Sequence, residues 1–179
     1  MITRTFQKGD AASVATYSDC GTYRYSLTRV WDDSAAKVTF IMLNPSKATE
    51  AQNDPTIERC ERRARALGFG GFCATNIFAL RETNPRILRN HPNPVGPDND
   101  SIVAECCRWA DVIVAAWGAH GVHLEQGSRM RRVLAGLDRT IHALGTTKHG
   151  HPRHPLYISY ATQPKPWRLT SCSDGPKTS

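Results

Sequence analysis

The sequence predicts an α/β fold, a three-layer αβα domain around a four-stranded, mainly parallel sheet. Three observations carry this. Apolar runs of strand length alternate with stretches of helical period. The runs stop at Asn, Pro or Gly, as strands do where they leave a sheet. Each consecutive pair of runs is linked by a helical stretch, and such crossovers, being right-handed, leave strands parallel and helices on both faces. The 179 residues, 40% hydrophobic and 22% charged, supply one ordinary core. No apolar run approaches a membrane span, and glycine and proline are near average, so membrane-spanning and fibrous classes are excluded. The polar start MITRTFQKGDAASV has no apolar run of signal-peptide length, and a cytoplasmic location is expected.

The elements follow in order. TYRYSLTRVWD alternates enough for an extra strand or hairpin, antiparallel and covering a sheet edge. Residues 37–43 (KVTFIML) form the first main strand and stop at Asn44-Pro45. Asp54 is an N-cap with Pro55 behind it, and Ile57, Cys60, Ala64 and Leu67 recur at helical spacing up to Gly68. Residues 72–78 (FCATNIF) are the second strand, followed by a loop with Pro85, Pro92, Pro94 and Pro97. A helix from Asp98–Asp100 to Trp109 precedes the third strand, 112–117 (VIVAAW), which Gly118 breaks. Residues 125–137 form a helix with Met130, Val133, Leu134 and Leu137 on one face, and 140–144 are the fourth strand. Residues 1–22 read as an N-terminal extension, 23–160 as the domain and 161–179 as a C-terminal tail, frayed over PWRLTSCSDGPKTS. Six cysteines without a CxxC pair read as reduced, mostly buried thiols; Cys60 and the Cys106-Cys107 pair read as helix packing.

Ligands of open parallel sheets bind beyond the carboxyl ends of the strands. Here those ends carry Asn44, Pro45 and Ser46, then Asn76, Phe78 and Arg81, then Trp117, Gly118 and His120, then a loop with His149, His151 and His154. Amides, aromatics and histidines on one edge suit a planar, hydrogen-bonding ligand such as a nucleobase. The charge of +7 and pI near 9.3 point to a polyanion, with Lys47, Arg81, Lys148 and Arg153 around this edge and Arg59, Arg62, Arg63 and Arg65 along the first helix. No GxxxxGK[ST] and no GxSxG occurs, which disfavours P-loop and serine-elbow chemistry.

Over residues 23–157 the chain resembles a bacterial and phage family known only as a domain of unknown function. The shared stretches are MLNPS, DPTIERC, TNIFALR, NPVGPDND, AAWGAHG and TKHGHPRHPLY. More distantly it resembles the uracil-DNA glycosylase superfamily, through Asn44-Pro45, Trp117-Gly118 and His154-Pro155 in order on matching elements. That resemblance implies a glycosylase-like fold with strand order 2-1-3-4 and hydrolysis of the N-glycosidic bond of a damaged or modified base in DNA. It implies that Asn44 positions water, with Asp54 or Glu50 as a nearby carboxylate, and that His154 stabilises charge on the departing base. It implies base contacts from Pro45, Ser46, Asn76, Phe78, Trp117 and Gly118, and nucleic-acid contacts from Lys47, Arg81, Lys148, Arg153 and Tyr157. The expected partner is single- or double-stranded DNA or a nucleotide, bound by a monomer without a cofactor. Two readings compete: a non-catalytic base or nucleotide sensor, which the neutral Asn44 favours, and a metal-dependent hydrolase using His149, His151 and His154 with His120 and His123.

Overall fold

A computed structural model describes residues 1–169. Its strands are β1 (Ile2–Lys8), β2 (Ala11–Tyr17), β3 (Arg24–Val30), β4 (Lys37–Met42), β5 (Gly71–Asn76), β6 (Val112–Ala115), β7 (Ile141–Ala143) and β8 (Lys165–Pro166). Its helices are α1 (Pro55–Ala66), α2 (Pro85–Asn90), α3 (Asn99–Trp109) and α4 (Gln126–Ala135). The fold is α/β, but the expected sheet is corrected. One eight-stranded mixed sheet runs in the order β1-β2-β3-β5-β4-β6-β7-β8. Four of its seven pairings are antiparallel (β1·β2, β2·β3, β3·β5, β7·β8), so it is neither four-stranded nor mainly parallel, and not the glycosylase-like sheet. The parallel pairings are confined to an inner block, β5-β4-β6-β7.

The inner block is legible because it is covered on both faces. All six residues of β4 and all six of β5 are buried. Phe40, Met42, Phe72 and Ala74 pack on Ile57, Cys60 and Ala64 of α1. On the other face Ile41, Ile113 and Ala115 pack on Val103 of α3 and Met130 and Leu134 of α4. A strand buried on both faces must be apolar throughout. The outer strands escaped the sequence reading for the converse reason: six of the seven residues of β1 are exposed and so carry no alternation. Residues 1–22 thus contain two strands of the sheet. Residues 165–166 of the expected tail pair with β7, and Trp167 and Leu169 join the core; residues 170–179 lie outside the described residues.

α1 begins where the sequence places it, with Asp54 Oδ1 accepting the Ile57 N–H at 2.9 Å and Pro55 in the first turn. Its arginines serve the fold. Arg59 donates to Leu156 O at 2.7 Å, and Arg63, fully buried, donates to Ile158 O at 2.9 Å and Thr162 O at 3.0 Å, fastening the 155–162 segment to α1. Arg62 pairs with Glu58 at 2.6 Å and Arg65 with Asp10 at 2.7 Å. No helix among the described residues is long and apolar enough to cross a membrane.

Candidate functional site

Along β5 side chains alternate, so Asn76 shares the α1 face with Phe72 and Ala74, at the carboxyl end of the strand and level with Met42 of β4. It is 1% exposed, and neither Nδ2 nor Oδ1 has a hydrogen-bond partner. A fully orphaned buried amide is rare, because each unpaired polar group costs about 1–3 kcal/mol. Its backbone is clamped from the opposite face. The Asn99 side chain donates to Asn76 O at 2.9 Å and to Ile77 O at 3.3 Å, and Gln126 donates to Ile77 O at 3.0 Å. The amide is therefore fixed in place with its hydrogen-bonding capacity unspent.

Arg24, which the sequence did not single out, lies on the same side. A one-residue irregularity in the β2·β3 register pairs Thr16 with Ser26 but Tyr17 with Arg24. This bulge at Tyr25 re-aims Arg24 toward the α1 face while Tyr25 enters the opposite cluster with Ile102. Arg24 is 1% exposed, donates Nη1 to Ala48 O, and leaves Nε without a partner. Burial pulls its pKa down to about 10, and the nearby Asp54 and Tyr17 oppose that shift. Tyr17 donates to Glu50 Oε2 at 2.8 Å.

His154 completes this side. Gly118, at a φ of +73°, donates to Pro152 O at 2.8 Å, and a β-carbon there would stand 3.7 Å from that of His154. Burial lowers the His154 pKa to about 4, against the pull of Asp54, so the ring is neutral at pH 7. Its Nδ1 accepts the Leu156 N–H at 3.4 Å, which puts the ring proton on Nε2. His154 is thus a neutral hydrogen-bond donor.

The other expected site residues are distributed more widely. Asp54 has both oxygens engaged, Oδ1 in the helix cap and Oδ2 accepting the Ala48 N–H at 3.2 Å. The Asn44 Nδ2 donates to Pro45 O at 3.1 Å and to Glu82 O at 2.6 Å. Asn44 lines a narrow crevice of about 60 Å³ with Leu43, Phe78, Leu88, His120 and His123, on the side of the second core cluster. Phe78 is fully buried, its ring 5.6 Å from His123, and the His123 Nε2 has no partner. Trp117 is core, 5.5 Å from Trp167, on the face opposite Asn76. Ser46, Lys47 and Arg81 line an open groove with Gly21 and Thr22; Arg81 donates to Gly21 O at 3.1 Å and lies 5.1 Å from the Tyr17 ring. Lys148, Arg153 and Tyr157 are exposed on the loop after β7. The structure thus puts Asn76 and Arg24 on the α1 side, with Asp54 close to both Arg24 and His154, and puts Asn44 and Phe78 in the crevice on the side of the second core cluster. Arg24 was missed because a bulge, invisible in sequence, decides which face it takes.

A family model described as a protein of unknown function, DUF1643, matches residues 24–156. The chain belongs to the DUF1643 family. A search of the curated proteins and of the solved structures finds no match. The DUF1643 match opens at Arg24 and closes at Leu156, so it takes in Arg24, Asn44, Asp54, Asn76, Gly118 and His154 and leaves β1, β2 and β8 outside. Among the described residues of this DUF1643 chain, no three His, Cys, Asp or Glu side chains converge to hold a metal ion. Its Cys60, Cys73, Cys106 and Cys107 are free and buried, with burial pushing Cys107 up to about 12, whereas Cys20 is exposed; Cys172 lies outside the described residues.

Proposed function

We propose that the chain releases a damaged or modified base from DNA by hydrolysing its N-glycosidic bond. The observation that carries this reading is the Asn76 amide, buried at the carboxyl end of β5 with both polar atoms unpaired. A carboxamide offers one acceptor and two donor hydrogens, which suits the edge of a base taken out of its stack. His154 supplies the chemistry. When the bond between the sugar C1′ and the base nitrogen breaks, the electron pair stays on the base. A neutral Nε2–H is then a prepositioned donor to the oxygen on which that charge gathers. The water oxygen bonds to C1′, and its proton is released to solvent or the departing base. Asn44 cannot remove that proton; with Nδ2 committed to two carbonyls, its Oδ1 is left to hold the water. Asp54, with both oxygens on backbone amides, contributes a helix cap and a fixed negative charge beside His154.

The test is abasic-site formation on oligonucleotides carrying uracil, hypoxanthine, or oxidised or hypermodified pyrimidines. Release by the wild type that is lost in His154→Ala and reduced in Asn44→Ala is the expected result. No release from any of them overturns the catalytic reading. The non-catalytic sensor is the second reading, favoured by the absence of an unengaged carboxylate at Asp54. It predicts salt-sensitive binding of the same oligonucleotides without product.

A further inference from the structure

We propose that two copies of this chain join through β1, antiparallel about a two-fold axis at Thr5, to make one continuous sheet. The inference is independent of the glycosidic reading. β1 pairs with β2 over seven residues without a bulge, and no described residue pairs with its other edge. Six of its seven residues are exposed, so in a single chain β1 gains backbone hydrogen bonds and buries neither face. Phe6 is 48% exposed and Ile2 38%. An edge this long, without proline, is a template for another strand.

The sequence ITRTFQK selects the second copy as that strand. With Thr5 opposite Thr5, Arg4 meets Phe6 of the other copy, Ile2 meets Lys8, and Thr3 meets Gln7. Each cation then faces an apolar side chain, and Arg4 over Phe6 is a favourable cation–aromatic contact. A two-fold axis perpendicular to the sheet admits only slips that keep each side chain on its own face. The next slip one way sets Arg4 against Arg4, and the next the other way sets Arg4 against Lys8; of the registers that pair five or more residues, only the Thr5 one keeps the cations apart. Both cations lie on the α1 face, where Arg4 sits 5.2 Å from the Tyr17 ring and Lys8 lies 3.4 Å from Glu61. The contact is isologous and closes at two copies.

Sedimentation velocity over a wide concentration range reads the assembly, and cysteine cross-linking in a Cys20→Ser, Cys172→Ser background reads the register. Thr5→Cys is expected to give a disulfide-linked dimer, since opposed Cα atoms lie about 4.5–5.5 Å apart. Thr3→Cys is not, because the two copies of that position lie about 13 Å apart. Phe6→Lys sets like charges together twice and should weaken the dimer on the order of ten-fold; Phe6→Glu, opposite Arg4, should tighten it. A chain that stays monomeric overturns the proposal. So does a dimer indifferent to Phe6→Lys, or one in which Thr3→Cys links as readily as Thr5→Cys.

Discussion

Arg24 and Arg29 leave the same strand toward the same face, and both guanidiniums are buried, yet their surroundings differ. Arg29 donates to Asn53 Oδ1 from Nε at 3.1 Å and from Nη2 at 2.6 Å, to Thr49 O at 3.1 Å, to Glu50 O at 2.9 Å and to Ser13 Oγ, with Glu61 3.6 Å away. Asn53 in turn donates to Glu58 and Glu61, each at 2.8 Å. Arg24 has the Ala48 carbonyl, an unpaired Nε, and on the same face the orphaned amide of Asn76. A closed network of this kind fixes the 49–53 turn and completes itself within the chain. The half-spent one, at the carboxyl edge of the parallel block, leaves Arg24 Nε and both polar atoms of Asn76 without a partner among the described residues. Burial of polar groups is common to both; the unspent hydrogen bonds separate them.

The largest effect expected from this contrast is structural. Arg29→Ala leaves Asn53 Oδ1 and the Thr49 carbonyl without their donor and removes a buried cation from beside Glu61, and should lower unfolding free energy by about 3–5 kcal/mol, read from denaturant melts. On the other side the largest effect is catalytic: His154→Ala should slow base release on the order of 10²–10³-fold, measured in single-turnover assays, while the chain stays folded. A third effect is set by pH. The folded-state pKa of His154, held by burial to about 4, lies below its ordinary 6.5, so the unfolded chain takes up the proton first as pH falls. Stability from this group is therefore complete above about 6.5 and is lost progressively toward about 4, by about 3 kcal/mol in all. His154→Asn should remove that share of the acid slope. The smallest effect sharpens the comparison most. Asn76→Ala deletes an amide that pairs with nothing among the described residues, so stability should not fall, because relief of the two unpaired polar atoms offsets the cavity left, while binding of the base-bearing oligonucleotide is lost.

The sequence and the structure meet where local physics decides the outcome. β4, β5 and β6 read as strands because both their faces are covered, and Asp54-Pro55 marks the start of α1 because cap and proline act within one turn. β1 was not legible, since a strand that buries neither face has no pattern to show, and β8 has only two residues. On the α1 side, His154, Asn76 and Asp54 stand out in the sequence through the glycosylase resemblance and their places after strands and before a helix. Trp117, expected as a base contact, packs in the core beside Trp167 and also lines a cavity with Arg131 and His151, a placement set by the whole fold. The arginines of α1 read as an anion-binding row, whereas Arg59 Nε and both terminal nitrogens of Arg63 donate to carbonyls of the 156–162 segment. Such long-range partners follow from the fold as a whole, and the bulge that turns Arg24 inward has no signature in the residues around it.

The most direct test of the central claim is the side-chain ¹⁵N–¹H₂ signal of Asn76, assigned by its loss in Asn76→Ala and followed while uracil, hypoxanthine and an oxidised pyrimidine base are titrated in turn. The account predicts that one of these bases shifts the Asn76 signal and slows its hydrogen exchange, with a parallel shift at the His154 Nε2–H. An Asn76 signal that none of the bases moves, in a protein that nonetheless binds or cleaves the corresponding oligonucleotide, would contradict it.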